Sequence, residues 1–252
     1  MSSKLILQRD FTAAQTRLKF VASNRESTPR LEEKIDKVWR NQQEKARRQG
    51  YDLWDAEGYR LNELSVDGDV IVLEIADVPY HIHSAMKELH TDPQFREENY
   101  DKLIVADALI RTSDGFYIFA QVDKVAEQEV VLVGGSCTKE RLKLTTSKDL
   151  FDFIHQRVAD VLNISRPVIA PPTLRGVIQN NMGYINLIFS VQLSVSSKEL
   201  TKKFTPNSGV SGLVFVKEFE LKTFLRTSRG YIRTLTPLIG NKTGITNKND
   251  QH

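Results

Sequence analysis

Asp149, Asp152, Gln156 and Asp160 follow one another at steps of three, four and four residues. On a helix that spacing places all four on one stripe. Carboxylates so arranged can offer oxygen ligands to a hard cation such as Mg²⁺, which in turn neutralises a diphosphate while water attacks it. A solvated polar face on an amphipathic helix is the commoner meaning of the same pattern. Just upstream, Gly134-Gly135 could cradle a phosphate through backbone N–H groups, although two glycines at a strand end more often make a tight turn. Arg157 sets a cation beside the stripe and would repel a metal ion.

Other residues invite chemistry less strongly. His81 and His83 flank Ile82 and, on an extended segment, would point to the same side, but no third metal ligand is evident. His155 lies beside the acidic stripe, where a surface role is the default. Cys137 follows Gly135-Ser136, yet no residue offers itself as an activating base. Arg226, Arg229 and Arg233, with Tyr231 among them, could hold an anion, and a solvated surface explains them equally well.

The elements that must carry these residues follow from periodicity and punctuation. Leu150, Phe151, Ile154, Val158, Val161 and Leu162 form one apolar face and predict a helix over 150–162, with Ser147 as cap and Asn163 as stop. Before it, Glu129–Val133 reads as a buried strand ending at Gly134-Gly135. Thr28 or Pro29 starts an earlier helix containing Ile35, Val38 and Trp39 and closing on Arg47-Arg48-Gln49-Gly50. Asp67-Gly68-Asp69 joins two strands within 61–75, and Thr112–Gly115 makes a second turn before Phe116–Ala120. Residues 84–95 read as helix or loop, interrupted at Pro93. Strands are expected over 174–178, 184–193 and 212–219, a short helix over 196–204, and 220–225 is ambiguous. Residues 3–20 suggest a strand and then a short irregular or helical piece. Mostly β with a few inserted helices, the order predicts an α+β fold, an α/β/α sandwich, rather than a doubly wound parallel sheet. The division expected is an N-terminal extension over 1–27 that could pack on the domain, one domain over 28–240, and a disordered tail over 241–252.

Composition narrows the function classes. The chain has 252 residues, 40% hydrophobic and 27% charged, enough for one large domain with a substantial core. A net charge of +3 is too small to imply a nucleic-acid partner, and none is expected. One cysteine rules out an intramolecular disulfide framework and a cysteine-based zinc site. No apolar run reaches the roughly 18 residues of a membrane span, and the first ten residues make a poor signal peptide. A cytoplasmic or nuclear location is expected.

From Val130 to Ile164 the order strand, Gly-Gly, polar loop, amphipathic helix resembles the Nudix hydrolase superfamily. That family's signature is a Gly, a Glu, then Arg-Glu-hydrophobic-x-Glu-Glu-x-Gly-hydrophobic. The branch that hydrolyses UDP-glucose and UDP-galactose is the most similar. Ile35–Trp39, then Asp52-Leu53-Trp54-Asp55 and Tyr59-Arg60-Leu61, have the branch's early pattern; Thr173–Asn180 and Phe189–Ser197 look like its later part. The likeness extends over roughly residues 28–220. It implies a mixed sheet flanked by helices. Its Arg-Glu pair falls on Gln156-Arg157, its hydrophobic residue on Val158, its Glu-Glu pair on Asp160-Val161, and its Gly-hydrophobic pair on Asn163-Ile164. Gly134-Gly135 match the loop glycines, and the earlier Glu falls near Lys148 or Asp149.

Of the metal-binding acids that the resemblance implies on the helix, Asp160 alone remains, as a vestige. The resemblance therefore implies a Nudix-like protein that has lost diphosphate hydrolysis and binds a nucleotide, a nucleotide sugar or a protein partner. Gly134, Gly135, Asp149, Asp152, Gln156 and Arg157 are the candidate ligand-binding residues, and no cofactor is expected. The alternatives are a Mg²⁺-dependent hydrolase of nucleoside diphosphate sugars that recruits acids from other loops, and a scaffold with its cleft filled.

Overall fold

The computed structural model describes residues 3–25, 27–89, 92, 102–123, 128–181, 183–207, 209–228 and 230–239. The expected tail over 241–252 and Arg229 lie outside the described residues, as does most of the expected stretch beyond residue 89.

A mixed sheet forms the centre. Its path runs β1 (Lys4–Phe11), β9 (Thr173–Gln179), β10 (Ile185–Gln192), β5 (Ile104–Arg111), β6 (Phe116–Asp123) and β11 (Gly212–Lys217). β10 and β5 pair in parallel along their whole length, from Ile185 opposite Ile104 to Gln192 opposite Arg111. The other pairs in this sheet are antiparallel. β5 and β6 share only Ile110–Ile118 and Arg111–Tyr117 and then diverge. The fork is filled by the segment expected as one strand over 129–133, which is in fact two. β7 (Gln128–Val131) joins β6, and β8 (Val133–Ser136) joins β5. Leu132 is buried where the chain steps from one to the other. No single straight strand could reach both partners once they diverge.

Side-chain alternation divides the sheet into two packed faces. Ile104, Ala106, Ala108 and Ile110 of β5 face one core together with Leu187 and Phe189 of β10. That core is closed by α3 (Ser147–Leu162), through Leu150, Phe151, Ile154 and Val158, and by a second sheet. This sheet has the order β2 (Thr16–Phe20), β4 (Val70–Pro79), β3 (Glu57–Asp67). The opposite face buries Leu109, Phe119 and Ile188 against α5 (Glu218–Thr227) and the turns after it, through Leu221, Leu225, Leu235 and Leu238. The fold is thus α+β, a mixed sheet with helices on both faces, as expected, with the small sheet added beside α3. The ambiguous segment 220–225 is helix because Leu221 and Leu225, four apart, both reach this core.

α1 (Pro29–Arg48) begins as its sequence predicts: Pro29 occupies the first turn and Leu31 N donates to Thr28 Oγ1 at 3.2 Å. It packs on α2 (Tyr80–Leu89) through Leu31, Ile35, Val38, Ala85, Met86 and Leu89, a cluster apart from the main cores. α4 (Ser197–Lys203) is the short helix expected over 196–204. Among the described residues no helix is long and apolar enough to cross a membrane.

Candidate functional site

α3 is held at both ends by local chemistry. Its cap is Thr146 rather than Ser147, because Asp149 folds back on the preceding loop. Asp149 Oδ2 accepts from the backbone N–H groups of Thr145 and Thr146, both at 2.8 Å, and from the Thr145 hydroxyl at 2.7 Å. These bonds hold its carboxyl well below the usual range, at about 2. At the other end Asn163 adopts the left-handed conformation that terminates the helix.

The expected acidic stripe is present as a stripe, and its members are separately engaged. Asp149 is spent on the cap. Asp152 pairs with Lys148 one turn earlier and with Arg166 at 3.5 Å. Asp160 accepts from Gln156 Nε2 at 2.7 Å and is exposed. His155 is positioned by Arg166, whose Nε donates to its Nδ1 at 3.0 Å, while Nε2 donates to the Ile169 carbonyl at 3.1 Å. Among the described residues no group of three or more His, Cys, Asp or Glu lies close enough to hold a metal ion. The donor set on α3 therefore does not fit Mg²⁺, which needs several convergent oxygens at near-octahedral angles.

Arg157 takes the central place instead. It is half-buried, and its Nε and Nη2 both donate to the Gly134 carbonyl at 3.3 Å, bracing α3 on β8. Burial, and then the charge of Arg141, make its proton easier to lose, while the charge of Asp160 opposes that shift. Gly134 and Gly135 are strand residues opposite Asp107 and Ala106, not the turn expected for them. Their roles differ. A Cβ on Gly134 would run into the Ala106 carbonyl and the Asp107 side chain, whereas one on Gly135 would meet nothing nearer than Arg141 Nη1 at 3.7 Å and Arg157 Nε at 3.9 Å.

The histidine pair is corrected by helix geometry. His81 and His83 lie in the first turn of α2, where residues two apart diverge by about 200°. His81 is held by Asp55, whose carboxylate accepts from the His81 backbone N–H at 2.8 Å and meets the ring Nδ1 at 2.6 Å. His83 is buried, with its ring centroid 4.4 Å from that of Tyr184. Cys137 is fully buried, and burial followed by the Asp107 charge pushes its thiol up to about 12, too far for a thiolate nucleophile at neutral pH. Of the arginine group, Arg233 Nε donates to the Arg226 carbonyl at 3.1 Å and both are exposed; the Tyr231 side chain lies outside the described residues.

A cleft of about 400 Å³ opens beside the Gly135 end of β8, lined by the 51–56 loop, Tyr80, Ser136, Thr138 and Arg141. Two anchors shape its aromatic wall. Tyr80 N donates to the Ala56 carbonyl at 2.6 Å, and Asp55 ties the same loop to α2. Tyr51 and Trp54 are left 54% and 63% exposed, so two large rings face solvent at a concave surface. The far wall is the 137–146 loop, pinned to β3 by Lys139 N on the Glu57 carbonyl at 2.7 Å and by Leu144 N on Tyr59 Oη at 3.1 Å. Tyr51, Tyr80 and Arg141 were not among the residues that spacing singled out. The available signal was two aromatics in a polar loop directly after a helix stop.

No family model and no curated protein matches the sequence. Among solved structures, DR0079 from Deinococcus radiodurans overlaps 73% of this chain and 99% of its own, at 17% identity and a TM-score of 0.42. The MutT protein from Methanosarcina mazei Go1 overlaps 54% of this chain and 91% of its own, at 13% identity and a TM-score of 0.39. A Nudix hydrolase from Nitrosomonas europaea overlaps 54% and 86% respectively, at 14% identity and a TM-score of 0.38.

Proposed function

We propose that this chain is a Nudix-like protein that no longer hydrolyses diphosphates and binds a nucleotide or nucleotide sugar in the cleft lined by Tyr51, Trp54, Tyr80 and Arg141. The observation that carries this reading is the state of α3. Asp149, Asp152 and Asp160 each serve a local partner, and Arg157 holds a fixed cation against Gly134 where the resemblance puts a carboxylate. Metal-assisted hydrolysis needs a positioned cation and an activated water, and these side chains gather neither. The cleft keeps what binding needs: exposed aromatic faces for a base and a guanidinium for an anion.

The test is to incubate the purified protein with Mg²⁺ or Mn²⁺ and a panel of UDP- and ADP-sugars, following both melting temperature and nucleoside monophosphate release. Ligand-dependent stabilisation without release is expected. Turnover that disappears in Asp160→Ala would overturn the proposal in favour of a working hydrolase, and no stabilisation by any member of the panel would leave a scaffold.

A further inference from the structure

Gly135 has no side chain, and the space above it is where two arginines meet. Arg141 reaches it from the 137–146 loop and Arg157 from α3, with Nη1 and Nε respectively 3.7 and 3.9 Å from the position a Cβ would take. Two guanidinium groups this close repel each other. Arg157 spends Nε and part of Nη2 on the Gly134 carbonyl, which fixes the group and leaves its other N–H donors available. Among the described residues the Arg141 guanidinium makes no ion pair or hydrogen bond. Among the described residues, the acid whose charge is felt at Arg157 is Asp160, which is exposed. The next residue of β8, Ser136, lines the aromatic cleft together with Arg141.

We propose that Arg141 and Arg157 form a metal-free anion site over Gly135 that holds the diphosphate of a nucleoside diphosphate whose base stacks in the cleft against Tyr51, Trp54 or Tyr80; this rests on the cleft reading above. Guanidinium forks match phosphate oxygens and can bind them bidentately, and an anion placed between two cations relieves their repulsion. Aromatic faces accept any base by stacking, so the cleft discriminates by shape and charge more than by base identity. The protein itself supplies the positive charge that a bound metal would otherwise bring to the diphosphate. Mg²⁺ would meet two fixed cations there and would have to be stripped from the ligand.

The experiment is calorimetric titration of the full chain with UDP, UDP-glucose, ADP and inorganic diphosphate, each in EDTA and in Mg²⁺. UDP is expected to bind in EDTA at least as tightly as in Mg²⁺, and about tenfold or more weaker in Arg141→Ala, the loss that follows from removing a charged hydrogen bond. Gly135→Asp places a carboxylate between the arginines and is expected to reduce binding by at least as much. Because Arg157 also braces α3, Arg157→Ala could fail to fold; Arg141 is exposed, so Arg141→Ala decides the matter alone. Inorganic diphosphate is expected to bind more weakly than UDP and to be equally sensitive to Arg141→Ala; diphosphate binding as tightly as UDP would overturn the stacking half. UDP binding that requires Mg²⁺, or that is unchanged in Arg141→Ala, would overturn the arginine site while leaving the cleft reading in place. Absence of binding by any nucleotide, with or without Mg²⁺, would sink both.

Discussion

Gly134 and Gly135 are adjacent in the chain and answer to different constraints. Gly134 faces the Ala106 carbonyl and the Asp107 side chain at a separation no Cβ could share. Asp107 is itself buried and accepts from Asn186 Nδ2 at 2.7 Å, so it cannot swing away without breaking a buried bond. Gly134→Ala is therefore expected to cost about 1–3 kcal/mol through overpacking, measured by urea denaturation. Gly135→Ala is expected to stay within about 0.5 kcal/mol of the parent, since its Cβ would make ordinary contacts only. Equal losses at the two positions would contradict this account. In the sequence the pair reads as a turn or a phosphate cradle, and nothing in the residue types separates the two glycines. The difference arises because antiparallel pairing with β5 sets one of them against a buried aspartate.

At the scale of elements, α3 is the most legible part of the chain, because six apolar residues at regular helical spacing over 150–162 leave little choice of face. Its start was the part read wrongly. Asp149, one of the candidate metal ligands, is the reciprocal partner of the capping loop, and its carboxyl lies at about 2 because it accepts four hydrogen bonds, from the hydroxyls and backbone N–H groups of Thr145 and Thr146. A carboxyl lowered on folding contributes stability above its unfolded value of about 3.9, and that contribution is lost as pH falls toward 2. Asp149→Asn is expected to cost about 1 kcal/mol at neutral pH, and the gap from the parent should close between about pH 4 and pH 2 in chemical denaturation. A gap that persists undiminished at pH 2 would assign Asp149 some other role. The histidine pair failed for a related reason: alternation around Ile82 suggests extended chain only while the segment is not known to be helical. What makes it helix is the Asp55 carboxylate on the first turn of α2 and the packing of Ala85, Met86 and Leu89 against α1.

At the scale of the whole molecule, the first strand is the feature that most changes the picture. β1 pairs antiparallel with β9 along the edge of the central sheet, and Phe11 at its end is completely buried in the core shared with α3. A few residues later β2 enters the small sheet beside β4 in parallel pairing, so residues 4–20 tie the two sheets together. Phe11→Ala is expected to cost about 3–5 kcal/mol and to lower the melting temperature of the whole protein in one transition. A second, independent transition would indicate that this segment folds apart from the rest. By itself the sequence determined the local elements: helix faces from apolar periodicity, strand ends and turns from Gly, Asp and Asn, and the absence of any cysteine framework. It also placed Asp149, Asp152 and Asp160 on one stripe of α3 with Arg157 beside them, because residue identity at fixed spacing needs no third dimension. Only tertiary structure decided that 129–133 splits between two partners, that Tyr51, Trp54 and Tyr80 wall a cleft, and that Arg141 and Arg157 converge above Gly135. The physical reason is that these relations join residues far apart in sequence. They depend on where β5 and β6 diverge and on which strand α3 packs against, and local pattern carries no record of either.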